Sequence, residues 1–491
     1  MLKQTLLAIT TILVAFSSQA QQHKYTVNID SEKRVAHVDA TVALEGNTLT
    51  LFNTNALPNY PNGQADFLRN IRVLDRAGNV IKIEDKGEGE YQLAGNQTIR
   101  LSYDVLLEHD KVQWPAGNEE VLYHTKEGLM LTGYTLFLVP GEKMSGDTVV
   151  EFQLPKQWQS HAALKALADK NQFIAKSRRE LVNNAYFFGT AKSSKLQAGG
   201  LDIELVLGQR YYPQRQVIED LLRTQLQSYL EIFGSRPRAE RYLIIINQGD
   251  SGDGGAFSGS FSQFLRGDAE LRTRPIWGRV LAHELLHFWN GLSLTPINDQ
   301  EEWFKEGVTD YLTIKTMAQN GLIDRPYLQQ WLGNLSRGQL VARRAQNIQG
   351  TVQEAAQNKH QNWLLVYGGG SVAGFVIDVE LRKRSNNKVG IEDLMKALYK
   401  DFALQQKSYN LDDIIRTANQ LGAFDTAALF HSLVQNKEMF DLAPVFDDIG
   451  LQLEQYLLLE HHLLPKAKPR PEENTRFKAI FGTRLTPLTM H

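Results

Sequence analysis

Apolar and polar positions alternate with period two along the first part of the chain, from Lys24 to about Leu207. The pattern is clearest where Ile99, Leu101, Tyr103, Val105 and Leu107 interleave with Arg100, Ser102 and Asp104. Alternation of this kind sends successive side chains to opposite faces and predicts half-buried strands. Val38, Ala40, Val42 and Leu44 repeat it, Asp75 to Asn79 supplies a glycine-containing turn between Ile71–Val73 and Ile81–Ile83, and Leu201, Ile203, Leu205 and Leu207 close the series. The expected architecture of residues 21–208 is a β-sandwich.

After Pro213 the period changes. Ile218, Leu222, Leu226, Tyr229 and Phe233 recur every three or four residues and stop at Gly234, which predicts an amphipathic helix with a glycine terminator. Leu243 to Ile246 is wholly apolar, as a strand covered on both faces would be, and a glycine-rich, flexible loop from Gly249 to Gly259 follows it. Pro275 and Gly291 bracket a helix over Ile276–Asn290, and Asn298 with Glu301 forms a capping pair for another running toward Met317. From Tyr327 to about Tyr456 the pattern is mostly helical, including Asp412–Leu421 and Ala427–Val434. The chain therefore reads as a multidomain α+β protein, with segments at 21–208, 209–335 and 336–460 and a tail at 461–491.

Composition narrows the chemistry. At 491 residues the chain exceeds what one core supports, and 42% apolar with 22% charged residues is ordinary globular balance. Lys and Arg number 53 against 55 Asp and Glu, so the net charge of −2 gives no field to attract nucleic acid. The Lys466–Arg476 stretch, rich in mixed charge and proline, reads as a solvated part of the tail. Cysteine is absent, which excludes disulfides, thiol nucleophiles and thiolate ligands, so any metal must sit on histidine and carboxylate.

Residues 1–20 carry the marks of a secretory signal: Lys3, an apolar run from Leu6 to Phe16, and Ser18-Gln19-Ala20 as a cleavage site. The mature chain is expected to begin near Gln21, exported to a periplasm or the medium, with no membrane span remaining after cleavage.

His283-Glu284-Leu285-Leu286-His287 fits H-E-x-x-H. On a helix, residues four apart share a face, so His283 and His287 can meet one ion. Glu284 stays unligated and can act as general base toward a water whose pKa zinc lowers to about 7. Eighteen residues separate His287 from Glu306, which falls on the next predicted helix and completes a His2Glu ligand set for one Zn2+. Asp310, four residues on, shares that face and can accept the free N–H of a ligating imidazole. The ten other histidines lack ligand spacing.

These residues resemble the gluzincin peptidases, and more narrowly the glycyl aminopeptidase family, whose H-E-x-x-H-x-W-N pattern is met by His283 to Asn290. Trp303 to Tyr311 is similar to that family's segment around the third ligand, and Leu136-Phe137-Leu138 resembles a strand of its N-terminal domain. Tyr367-Gly368-Gly369-Gly370, followed by Ile377 to Arg382, is similar to its Tyr-x-x-Gly helix. The likeness spans roughly residues 24–455.

The resemblance implies a thermolysin-like zinc peptidase domain at 209–335 and a C-terminal α-helical domain at 336–460. It implies His283 as the partner of Asp310, and Tyr367 as hydrogen-bond donor to the oxyanion. It also implies that Gly254, Gly255 and Ala256 lie along the backbone of a peptide or protein substrate. Phe257 stands where the family has an acidic residue that helps bind a free α-amine. Aminopeptidase and limited endopeptidase action therefore both stay open, as does a peptide-binding role without turnover. Family members often end in a PDZ domain, and too few residues follow Gly450-Leu451 for one to be expected.

Overall fold

The computed structural model describes residues 23–485 apart from 52–55, 96, 115–120, 142–143, 170, 250–253 and 457–459. The signal segment and the end of the chain lie outside the described residues.

The alternating N-terminal pattern folds as expected. His23–Asp30, Val35–Ala43, Leu68–Leu74, Thr98–Leu106 and Thr148–Gln153 are strands of a seven-stranded sheet, and two four-stranded sheets stand beside it. Val38, Val42, Ile99, Leu101 and Val105 point into one core with Leu129, Leu131, Phe187 and Phe188.

Two local expectations fail here. The Asp75–Asn79 turn forms, with Asn79 N donating to Asp75 Oδ1 at 2.8 Å, but Ile81–Ile83 is not its returning strand. Only a bridge at Val80 pairs back, and the chain crosses to another sheet at Glu84–Gly87. Leu136-Phe137-Leu138 is also not a strand: Leu136 ends the short helix Gly133–Leu136. Tyrosine hydroxyls replace the missing ladder, Tyr103 Oη donating to Leu136 O (2.9 Å) while accepting from Leu138 N (2.9 Å), and Tyr25 Oη donating to Leu138 O (3.0 Å). These bonds pair backbone groups of Leu136 and Leu138, which with Phe137 are fully buried.

The strand Leu201–Leu207 is counted with the N-terminal series by its alternation, yet it pairs in parallel with Arg241–Gln248. The sheet they share runs Lys192–Ala198, Leu201–Leu207, Arg241–Gln248, Ser260–Leu265, Gly254–Ala256. Leu205, Leu207, Ile244 and Ile246 face the helical side, whereas Val206, Leu243 and Ile245 pack into the N-terminal core. A strand buried on both faces belongs to both bodies, so a cut at residue 208 passes beside the joint rather than through a linker.

Helices cover the other face. The predicted amphipathic helix is Arg215–Phe233, closed by Gly234 with φ 66°. The long helix Lys359–Arg384 contains a stretch apolar enough to cross a membrane, but 78% of that window is buried inside the protein, as a core helix would be. The C-terminal tail reading is corrected: Leu451–Tyr456 and Glu460–Pro465 form a hairpin, and Pro471–Phe481 is a helix with Phe477, Ile480 and Phe481 buried. Its charges pair instead of dissolving in water, Glu473 accepting from Arg470 N (2.7 Å) and Lys466 Nζ (2.8 Å). This helix docks on the helix Thr309–Gln319, at whose end Gln319 Nε2 donates to Ile480 O at 2.9 Å.

Candidate metal centre

The helix bearing H-E-x-x-H spans Arg274–Leu286, with Pro275 in its first turn. It ends four residues short of the predicted Asn290. His287 keeps helical φ/ψ (−59°, −19°), so the four-residue spacing still places both imidazoles on one side, ring centroids 4.8 Å apart. His287 Nδ1 lies 2.9 Å from Asn290 O. A carbonyl only accepts, so Nδ1 carries the proton and the Nε2 lone pair is free for a metal.

Glu306 arrives on the wide π-helical turn Phe304–Val308, ahead of the helix Thr309–Gln319. The capping pair expected for this segment is not made. Asn298 accepts from Gln300 N (2.9 Å), but Glu301 turns inward to accept from Leu411 N (3.3 Å) and Gln353 Nε2 (3.2 Å). Asn290 ties the two ligand segments together, its amide donating to Phe304 O (3.0 Å) and Thr309 Oγ1 (3.1 Å).

Ligand atoms of His283, His287 and Glu306 lie within 4.8 Å of one another, all three residues buried. Glu306 Oε2 stands 3.5 Å from His283 Nε2 and 3.1 Å from His287 Nε2. Atoms about 2.0–2.1 Å from tetrahedral zinc sit about 3.3 Å apart, so these separations fit the ion. Burial of the three polar groups fits it too, since buried charges are tolerated when paired or metal-bound.

The surroundings set the electrostatics. Burial lowers the His283 imidazole, but hydrogen bonds to Asp310 and Glu306 and the Glu284 charge outweigh it and hold the metal-free group at about 10. Burial raises Glu306, yet the charge of His287, hydrogen bonds from both histidines and the Lys359 charge bring it well below the usual carboxylate range. Asp310 Oδ1 is 3.5 Å from His283 Nδ1 and accepts from the Arg279 guanidinium at 2.6 Å.

Glu284 Oε2 approaches His287 Nε2 only to 4.0 Å, beside the ligand set and outside it. Tyr367, on the long helix, lays its ring nearly parallel to His283, centroids 5.9 Å apart and 19° between planes. Burial, then the Glu306 and Glu284 charges, push its hydroxyl well above the ordinary tyrosine range, so it remains a donor. Gly307 and Gly370 allow this approach: a Cβ on Gly307 would meet Gly370 Cα at 2.4 Å.

Gly254–Ala256, expected within a flexible loop, is an ordered edge strand paired antiparallel with Ser260–Leu265 and set against the histidine helix. Asp253 lies outside the described residues. Phe257 is turned away and buried near Tyr134, ring centroids 6.1 Å apart.

The sequence reading brought together the residues that the fold clusters, but missed four neighbours. Asn290 and Arg279 are described above. The others are Glu302 and Lys359: Lys359 Nζ donates to Glu306 Oε1 at 2.7 Å and lies 3.0 Å from Glu302 Oε2. Asn290 could have been read from its motif, whereas a lysine 53 residues beyond Glu306 carries no spacing signal.

The fold brings two histidines and a glutamate together as a candidate metal centre. Residues 24–189 match the family described as the Peptidase M61 N-terminal domain. No curated protein matches the chain in sequence. Among solved structures, an aminopeptidase N family protein from Idiomarina loihiensis superposes with a TM-score of 0.75 at 18% identity, over 88% of this chain and 79% of that one. A mutant M1 zinc metallopeptidase from Deinococcus radiodurans gives 0.58 at 12% identity, over 86% and 95%. A two-domain M1 zinc metallopeptidase mutant bound to L-arginine gives 0.59 at 12%. At these identities the likeness shows a shared fold. Together with the domain match and the His-His-Glu cluster, it supports a hydrolase of the zinc peptidase class.

Proposed function

We propose that the protein is an exported zinc peptidase that hydrolyses peptide bonds in an aminopeptidase-like manner, with Glu284 as general base. The observation that carries this reading is the position of Glu284. Three ligand residues are already within reach of one ion, and a second carboxylate, Glu284, stands 4.0 Å from His287 with no ligand duty.

Bound by His283, His287 and Glu306, zinc would polarise the substrate carbonyl and lower the pKa of a water toward about 7. Glu284 takes the proton as the water oxygen adds to the carbonyl carbon, and returns it to the leaving nitrogen as the C–N bond breaks. Tyr367, kept protonated, donates to the oxygen on which negative charge develops. Asp310 orients His283, and the free edge of Gly254–Ala256 offers backbone groups to pair with an extended substrate.

One observation favours a second reading, limited endopeptidase action. Phe257, at the expected place of the acidic anchor, is 4% exposed and packed in the N-terminal core, so it presents nothing to a free α-amine. The test is hydrolysis of a mixed peptide library by the mature protein from Gln21 and by its Glu284→Gln variant, with zinc measured in both. Cleavage by the unmodified form alone is expected, terminal or internal cuts deciding between the two readings. Equal turnover by both forms refutes the mechanism, and zinc without cleavage in either points to a peptide-binding protein. Export predicts secreted or periplasmic protein whose first residue is Gln21.

A further inference from the structure

The Glu306 carboxylate is divided between two kinds of partner. Oε2 faces His283 and His287, while Oε1 accepts from Lys359 Nζ at 2.7 Å and lies 3.5 Å from Lys305 Nζ. Glu302 bridges the two ammonium groups, with both its oxygens 3.1 Å from Lys305 Nζ and Oε2 3.0 Å from Lys359 Nζ. Glu302 and Glu306 are buried and the two lysines partly so, Lys359 and Lys305 being 23% and 25% exposed.

Lys359 comes from a separate part of the chain. It opens the long helix that later carries Tyr367, and non-helical dihedrals at Asn362 (−122°, 21°) set its first turn apart from the rest. That break lets the turn follow the Glu302–Glu306 pair while the remainder of the helix stays packed in the core.

We infer that Lys359 is a positioning residue which, with Glu302 and Lys305 fixing its ammonium, occupies Glu306 Oε1 and leaves Oε2 alone to ligate the metal. The inference rests on the zinc-site reading above. A carboxylate that turned both oxygens to the ion would add a ligand beside the water position a His2Glu site keeps open, raising the coordination above four. Hydrogen bonding of the second oxygen by an ammonium opposes that turn and holds the ligand in one rotamer, as outer partners of metal ligands do.

The test compares unmodified protein, Lys359→Met and Lys359→Arg for zinc affinity by chelator competition. It also records the visible spectrum of each after cobalt(II) replaces zinc, since four-coordinate cobalt absorbs more strongly than five- or six-coordinate cobalt. Expected for Lys359→Met is zinc affinity weaker by about 10-fold to 100-fold, the range for lost outer partners, with a weaker cobalt band. Lys359→Arg, which keeps a cationic donor, should stay close to the unmodified protein in both. A Lys359→Met protein with an unchanged cobalt spectrum overturns the inference. Should that variant fail to fold, Lys359→Gln is read by the same criteria. Failure of the zinc reading itself is distinct, because the unmodified protein would then take up neither metal.

Discussion

Beneath the metal centre, Asp378 is fully buried and accepts four hydrogen bonds: Tyr311 Oη (2.6 Å), Lys315 Nζ (2.7 Å), Arg382 Nε (2.8 Å) and Ile391 N (3.1 Å). Lys315 and Arg382 are 2% and 6% exposed, and the half-exposed Glu392 is their other anionic partner. Burial raises the Asp378 carboxyl, but the Lys315 and Arg382 charges and the hydrogen bonds from Lys315 and Tyr311 bring it far below its ordinary value. Asp378→Asn keeps the shape and removes the charge, leaving two buried cations to share one carboxylate and turning an NH2 toward donors. Losing one partner of a buried ion pair costs about 3–5 kcal/mol, a large fraction of the roughly 5–15 kcal/mol that holds a domain together. Urea unfolding followed by tryptophan fluorescence reads the loss, since Trp289 and Trp303 are buried in the same core. Adding Lys315→Met should recover at least half of it by removing the uncompensated cation. A single variant that loses less than about 1 kcal/mol, or a double variant no better than the single, would refute the claim that charge pairing holds this joint. The sign of the pH effect follows from the depressed carboxyl. Its contribution is fully present above about pH 4, the unfolded aspartate value, and is lost as pH falls through the lower folded value.

Other outcomes follow from the same geometry. Tyr367→Phe should lower kcat about 100-fold to 1,000-fold, the loss of one oxyanion donor worth about 2.7–4 kcal/mol, with zinc content unchanged in a metal assay. Gly307→Ala would drive its Cβ into Gly370 backbone, 2.4 Å from Cα and 2.5 Å from C. It should destabilise by about 1–3 kcal/mol and loosen zinc. Gly368→Ala, with nothing within 4 Å, should instead stabilise by up to about 1 kcal/mol in the same unfolding assay. His109, stacked on Phe67 at 4.0 Å with no partner on either ring nitrogen among the described residues, is lowered by burial to about 3. Because the folded state favours its neutral form, its contribution is whole above about pH 6.5, the unfolded value, and fades as pH falls toward 3. His109→Phe should flatten the stability profile across that window, as measured by melting at a series of pH values.

Legibility depended on how far apart in sequence the interacting residues lie. Period-two alternation placed Val35–Ala43 and Thr98–Leu106, because a strand facing one core must repeat every second residue. The H-E-x-x-H spacing fixed His283 and His287 on one face, since helix geometry alone sets what stands four residues apart. Asp310 was readable for the same local reason from Glu306, Glu284 from its place inside the motif, Glu306 from its separation from His287, and Tyr367 through a family likeness.

What the sequence left open was pairing across distance. The alternation of Leu201–Leu207 is the same whichever sheet receives it, and only its parallel neighbour Arg241–Gln248 assigns it to the sheet shared by both bodies. The charges of Lys466–Arg476 read as solvated because their partners, and the burial of Phe477 and Phe481, depend on a docking surface elsewhere in the chain. Glycines at 254 and 255 suggest mobility until an antiparallel neighbour makes them an edge strand. The sequence by itself determined the local periodicities and the shared side of His283 and His287, because backbone geometry converts spacing directly into a shared face. Only the tertiary structure decided that Lys359 holds Glu306 and that Asp378 joins Tyr311 to Arg382, because such contacts are made by packing and charge between segments that no spacing relates.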